Sequence, residues 1–269
     1  KDKSNKKNIE ILKNRGNYCI EPATGFLASG MHGKGRLEEP ELILEFLKKT
    51  IIKELPLFGK KILITAGPTY EMIDPVRFIG NFSSGKMGYY LAKKASEMGA
   101  DVHLISGPSS ENINGFNIKL KKILSADEMY NECINIFPKV DYCIMAAAVS
   151  DYKSKSILKE KLKKEDIKSI TIELERNEDI IAKMGFMKKK NQKLIGFALE
   201  TSDELNNARL KMFRKKMDAI VLNSLNDEGA GFDFDTNQVT FITEKKSKKI
   251  SLKSKSEISK DILEEIINM

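Results

Sequence analysis

Residues 61–88 read KILITAGPTYEMIDPVRFIGNFSSGKMG, and their order decides the fold. An apolar run, Ile62-Leu63-Ile64, closes on the small residues Ala66-Gly67. A turn-rich loop follows, and then a helix opens at Ser83-Ser84-Gly85-Lys86-Met87-Gly88. Strand, loop and helix in that order, with small residues at the helix mouth, present backbone N–H groups to an anion. The same stretch imitates a P-loop, since residues 80–86 fit G-x-x-x-x-G-K. The imitation fails at Met87, where a Mg²⁺-holding Ser or Thr is required. It also fails in spacing, because the strand ends near Ala66, well before Gly80. Ser83 and Ser84 are N-cap candidates, a role compatible with anion binding at the same helix mouth.

Outward from this stretch the chain alternates strands with helices. Strands are expected at 61–66, 101–106, 116–122, 141–147, 168–174, 193–198 and 218–222. Helices are expected at 84–98, 125–137, 178–187 and 202–215. A hairpin (237–243 with 248–252) and a helix at 256–268 close the chain. Residues 141–147, DYCIMAA, form the near-continuous apolar run of a parallel strand buried on both faces. The pattern predicts an α/β fold, a doubly wound, mostly parallel Rossmann-like sheet with helices on both faces and a C-terminal β-hairpin. Ligands then sit at the strand ends 66–69, 106–108, 147–151 and 198–201. Residues 1–50 read as a separate piece: a short helix at 8–13, a Gly-rich loop at 25–35, and a helix with Pro40 in its first turn. Residues 51–60 read as a linker and 61–269 as the main domain.

Composition narrows the function. With 269 residues and 41% hydrophobic content the chain can bury a core. No apolar run reaches the roughly 18 residues of a membrane span, and no signal-peptide pattern opens the chain. It starts at Lys1 rather than Met, and the sequence leaves open a native start, a truncation or an engineered start. Cys19, Cys133 and Cys143 are too scattered for a disulfide framework or a zinc site, which suits a reducing, cytoplasmic setting. His32 and His103 do not build a metal centre, and no metal ligand set is read. The net charge of +8 comes mostly from dispersed lysines with few interleaved aromatics. That is a solvated surface, not a nucleic-acid interface.

Candidate groups gather at the strand ends. Arg77 suits bidentate capture of phosphate or carboxylate, or a surface ion pair. Asn81 is a turn former or an oxyanion donor. Asp151, after the small residues 146–148, serves as an N-cap or as a partner for a base, sugar or metal–phosphate unit. The run Lys159-Glu160-Lys161-Leu162-Lys163-Lys164 is a solvated face or a loop that closes over phosphates. Phe197 offers an aromatic plane at a strand end, and Lys211 and Lys215 share one helix face.

Together these strings resemble phosphopantothenoylcysteine synthetase, the C-terminal half of the bifunctional coenzyme A biosynthesis flavoprotein. The matching strings are 64–88, AAAVSDY (146–152), EKLKK (160–164), NEDI (177–180), GFALET (196–201) and GFDFDTN (231–237), spanning about residues 55–269. The resemblance implies ligation of 4′-phosphopantothenate to L-cysteine at the expense of a nucleotide, CTP with Mg²⁺ in bacterial members, through an acyl-cytidylate. It implies catalytic roles for Asn81, Lys161 and Arg77. It places Ala147, Asp151, Lys161, Asn177, Glu178, Asp179, Ile180, Phe197, Lys211 and Lys215 around the nucleotide. Arg77, Asn81, Ser83, Ser84, Gly85 and Lys86 fall to the acid substrate. The family's Asn-Pro-Asp-Ile is NEDI here, with Glu178 for Pro. A homodimer and a cytoplasmic location are implied too. Neither nucleic acid nor membrane is expected as a partner.

Residues 5–47 resemble the end of the flavin-dependent decarboxylase half of the same bifunctional protein. The family's acid is the Cys of Ala-Cys-Gly; here the string is Ala28-Ser29-Gly30, and a hydroxyl is a poor proton donor. FMN, decarboxylation and a larger assembly are therefore expected only with a complete decarboxylase half. The competing reading is a non-catalytic regulatory or assembly subunit derived from the family. A nicotinamide enzyme is disfavoured, since Gly67-Pro68-Thr69 is not G-x-G-x-x-G.

Overall fold

The computed structural model describes residues 3–27, 29–163, 169–200, 203–224 and 234–269. The chain divides into two compact units, Lys1–Leu55 and Pro56–Met269. The first unit holds helix α1 (Lys3–Asn14), strands β1 (Ala23–Phe26) and β2 (His32–Arg36), and helix α2 (Pro40–Glu54). The expected Gly-rich loop is thus an antiparallel hairpin. Gly30, at φ 79°, supplies the left-handed residue that its turn needs. The Leu27 N–H donates to Met31 O at 2.8 Å and Phe26 stands edge-on to His32, so side chains close what composition left open. Helix α2 runs through Ile51 and Ile52 into the stretch read as a linker. It stops at Leu55, whose ψ of 142° is the extended conformation that the following Pro56 imposes.

The second unit follows the order β3 (Lys61–Ala66), β4 (Glu71–Met72), β5 (Phe78–Ile79), α3 (Lys86–Glu97), β6 (Asp101–Ser106), β7 (Ile118–Lys122), α4 (Ala126–Ile136), β8 (Tyr142–Met145), β9 (Tyr152–Ser154), β10 (Leu174–Arg176), α5 (Ile180–Met187), β11 (Lys193–Glu200), α6 (Glu204–Arg214), β12 (Ala219–Ser224), β13 (Thr236–Thr243), β14 (Ser247–Ser254) and α7 (Lys255–Ile267). One eight-stranded sheet runs β14-β13-β12-β11-β8-β3-β6-β7. Strands β12 to β7 are parallel, while β13 and β14 are antiparallel, the expected hairpin. The chain builds outward from β3 to β7, then returns to β8 and builds the other way. The switch point therefore lies between β3 and β8.

Alternate residues of the central strands feed two cores. Ile62 and Ile64 lie with Tyr89, Leu91, Ala92, Ile258 and Ile262, so α3 and α7 cover one face. Leu63 lies with Met129, Cys133, Met184, Ala208 and Met212, so α4, α5 and α6 cover the other. Each such Ile or Leu, fully buried, stabilises the fold by about 1.5–3 kcal/mol. Cys143 is one of these core residues. Among the described residues no helix is long and apolar enough to cross a membrane.

The strand expected at 168–174 departs from this plan. Residue 168 lies outside the described residues, and 169–173 form no strand. Only Leu174–Arg176 pairs, antiparallel to β9, as a small ribbon apart from the main sheet. The alternating Ile170, Ile172 and Leu174 are all exposed, so the period had no core to face.

Candidate active site

Between β3 and α3 the chain makes a long loop carrying the β4–β5 ribbon, unlike the tight turn of a P-loop. The loop is stitched to the end of β8. Pro68 and Ala148 form a parallel bridge, and the Ala148 N–H donates to Gly67 O at 2.9 Å. Asn81 ties the two sides together: Nδ2 donates to Ala148 O at 2.7 Å, and Oδ1 accepts from Ser83 N at 3.0 Å. Neither Ser83 nor Ser84 caps α3. The N-cap is Gly85, in the left-handed conformation at φ 81°, with no side-chain cap. A Cβ there would lie 3.1 Å from Gly67 N and 3.0 Å from Ser109 Oγ, so only glycine lets the two loops meet. The first-turn amides of α3 have no intrahelical acceptors and carry the positive end of the helix dipole.

A cavity of about 480 Å³ opens beside this mouth, bordered by Asn81, Gly85, Lys86, Ala147 and Asp151 among others. A second cavity of about 150 Å³ adjoins it. Ala147, Val149, Asp151, Phe197 and Lys211 line both. The loop after β10 supplies the far wall of the smaller one. Asn177 N–H donates to Asp151 O at 2.9 Å and its Nδ2 to Ser150 O at 2.8 Å. Its buried Oδ1 has no hydrogen-bond partner among the described residues. Glu178, in the family's proline position, is exposed, and Asp179 still caps α5 through Ala182 N at 3.1 Å.

The same Asp179 pairs with Lys215 at 2.7 Å. Lys211, one turn earlier on α6, is held below its usual pKa by burial and by the Lys215 charge, against the pull of Glu200, Asp151 and Asp179. A desolvated, under-compensated cation at a cavity wall favours an anionic ligand.

Arg77 and Lys161 line neither cavity. Arg77 instead helps hold the lysine loop. Fully buried Asp74 accepts from Val76 N, Arg77 N and Arg77 Nη1 at 2.7–2.9 Å, and from Leu162 N at 3.2 Å. Arg77 Nη2 returns a bond to Leu162 O at 3.2 Å. Burial alone would raise the Asp74 pKa, but these N–H donors and the Arg77 charge bring it below the usual value. Lys161, beside this clamp, is exposed. Lys164 lies outside the described residues. Ser29 sits exposed in the hairpin turn of the N-terminal unit.

Two residues lining the larger cavity escaped the sequence reading, Asn223 and Lys255, while Asn237 stood there only as the end of the string GFDFDTN. Asn237 Nδ2 donates to Asn223 Oδ1 at 3.1 Å. Asn237 and Lys255 are each only 3% exposed, a burial that lysine rarely shows. In sequence Lys255 belongs to a Lys-Ser alternation that reads as solvated surface.

Residues 57–269 match the family described as "DNA/pantothenate metabolism flavoprotein C-terminal domain". The chain is 44% identical over 264 residues to the coenzyme A biosynthesis bifunctional protein CoaBC of Bacillus subtilis (strain 168), covering 97% of this chain and 64% of that protein. It is 46% identical over 268 residues to a cysteine/cysteine sulfinic acid decarboxylase of an unknown prokaryotic organism, covering 98% of this chain and 74% of that one. The chain thus spans about two thirds of the length of the CoaBC relatives it matches. A crystal structure of the C-terminal domain of CoaBC superimposes with a TM-score of 0.68 at 40% identity, covering 80% of this chain and 97% of that one.

Proposed function

Since the chain belongs to the DNA/pantothenate metabolism flavoprotein C-terminal domain family, we propose that it is a phosphopantothenate–cysteine ligase of coenzyme A biosynthesis using CTP. The observation that carries this reading is the meeting of Asn81, Asp151, Phe197 and Lys211 around one cavity at the sheet's switch point. The part-buried Lys211 at the wall of that cavity supports a ligand-binding site over a non-catalytic regulatory or assembly subunit.

The chemistry has two steps. The carboxylate of 4′-phosphopantothenate attacks the α-phosphorus of CTP, and the bond to pyrophosphate breaks. The cysteine amine then attacks the acyl carbon, CMP leaves with the electron pair, and the ammonium loses a proton. Neither step needs a covalent enzyme nucleophile, so the protein's work is positioning and charge stabilisation.

The smaller cavity takes the base and ribose, with Phe197 as a wall and the 177–180 loop as a rim. Lys211 and Lys215 face the phosphates. The larger cavity takes the acid. Asn81 keeps one Nδ2 proton beyond the bond to Ala148 O, and it donates this to the acyl phosphate as charge develops. Lys161 brings a further cation when its loop closes. A Mg²⁺ ion bound with the triphosphate would supply neutralisation of phosphate charge. Asp151, which both cavities share, is the carboxylate placed to hold it. Val76, Phe78, Tyr152 and Leu174, exposed on the β4–β5 and β9–β10 ribbons, suit burial in a homodimer. The free cysteines suit a cytoplasmic setting.

The deciding assay is pyrophosphate release by the purified chain. Release should require phosphopantothenate and CTP together, and folded protein that releases none refutes the ligase reading.

A further inference from the structure

The larger cavity has a pole that the smaller one does not share: the first turn of α3, Lys86, Asn223, Asn237 and Lys255. Lys255 is the first residue of α7, and its N–H donates to Asp235 O at 2.8 Å. Lys86 reaches the same residue, with Nζ 2.6 Å from Asp235 Oδ1. The Asp235 side chain is 80% exposed, so one solvent-facing carboxylate stands beside two cations. The Lys86 hydrogen bond and charge, with a smaller share from Lys255, draw its carboxyl below the usual range. Glu111, the next acid towards Lys86, is paired with Lys93 at 3.6 Å. Open amides at the N-terminus of α3 add positive potential at the same wall.

We infer that Lys255 joins Lys86 and the α3 mouth, which the family resemblance already gives to the acid substrate, in binding that substrate's dianionic phosphomonoester, and that the Asp235 carboxylate holds this pole until the phosphate displaces it. The inference rests on the ligase reading and adds to it a residue that decides between phosphorylated and unphosphorylated acid. The geometry suits it. A buried ammonium has already lost its water, so it gains more from a dianion than an exposed lysine would. Asp235, being exposed, leaves at little desolvation cost.

The test uses the full chain and three variants, Lys255→Met, Lys255→Arg and Asp235→Asn, with KM measured separately for phosphopantothenate, pantothenate and CTP. Lys255→Met should raise KM for phosphopantothenate at least ~10-fold, as loss of a charge-assisted hydrogen bond requires, with KM for CTP within about twofold. Discrimination against pantothenate should shrink by the same factor. Lys255→Arg should restore most of the affinity, and Asp235→Asn should lower KM for phosphopantothenate. The inference is overturned if Lys255→Met leaves that KM unchanged, if the loss falls equally on CTP or pantothenate, or if Asp235→Asn weakens binding. Should Lys255→Met fail to fold, Lys255→Arg and Asp235→Asn decide alone. A wild-type chain that releases no pyrophosphate refutes the ligase reading instead, and phosphopantothenate binding by calorimetry then tests the pole separately.

Discussion

Helix α3 reaches the cavity only because Gly88 has no side chain. A Cβ there would lie 2.5 Å from Ala66 Cβ, 2.9 Å from Thr65 O and 3.0 Å from Ala66 Cα. Carbon atoms at their optimum sit ~3.5–4.0 Å apart, so Gly88→Ala must drive the helix about 1 Å off β3. Two of the three obstacles are backbone of the central strand, which does not yield. Overpacking of this kind costs about 1–3 kcal/mol, and the upper end applies here. Alanine's better helix propensity returns about 1 kcal/mol. The net loss of about 2 kcal/mol lowers Tm by roughly 4–8 °C in a domain of this size. Function should suffer more than stability. The displaced turn carries Lys86 and the open amides, and a 1 Å misplacement costs about 100-fold in rate. Calorimetry and pyrophosphate release on Gly88→Ala measure both. A Tm within about 1 °C of wild type would refute the close-approach argument, because the structure leaves no cheap relaxation.

Other outcomes follow from the same geometry. Lys211→Met should raise the Tm of the ligand-free protein and abolish the Tm increase caused by CTP. Its folded pKa lies below its unfolded one, so the unfolded chain binds more protons in that window and the charged lysine destabilises the fold below it. The mutant's advantage should therefore fade as alkaline pH rises through the depressed pKa, and an advantage that is flat with pH would contradict this. Arg77→Lys cannot bridge both Asp74 and Leu162 O, so kcat should fall with little change in either KM, and trypsin should cut residues 159–163 faster. Unchanged cleavage would remove the clamp. Burial pushes the Cys133 thiol up to about 12 and Cys143 higher than usual, so a thiol reagent at mild pH should find part-exposed Cys19 in native protein and all three only after denaturation.

The parallel core was legible because strands buried on both faces must be apolar throughout. Ile62–Ile64 and Cys143–Met145 could be little else. Much of the cavity was legible because a doubly wound sheet sends its strand ends to one place, whatever the loops do. The rest was hidden for definite reasons. The β4–β5 and β9–β10 ribbons are two or three residues long, too short for any period to register. Ser83 and Ser84 looked like caps, but the chain turns left-handed at Gly85 and starts the helix later. Arg77 had the chemistry for phosphate, and only tertiary structure revealed the buried Asp74 that takes its guanidinium. Lys255 hid among lysines that face water, since burial of one member of a charge run leaves no mark on its neighbours.

The two ends of the cavity treat their cations differently, and this bears on how the substrates bind. Lys86 already has an anion, and its hydrogen bond to Asp235 raises its pKa above the usual value. Lys211 lacks full compensation, and burial lowers its pKa. A nucleotide reaching Lys211 relieves a standing electrostatic penalty. A phosphomonoester reaching Lys86 must first displace a carboxylate that satisfies it. On the proposed ligase reading, the Lys211 end responds to almost any well-placed polyanion, while the Lys86 end responds only to a group that outcompetes a carboxylate, as the substrate's dianionic phosphate does and the neutral 4′-hydroxyl of pantothenate does not. In the proposed ligase, such an arrangement would keep unphosphorylated acid from consuming CTP. The selectivity for the acid would then rest with Lys86, Lys255 and Asp235, away from the atoms that react.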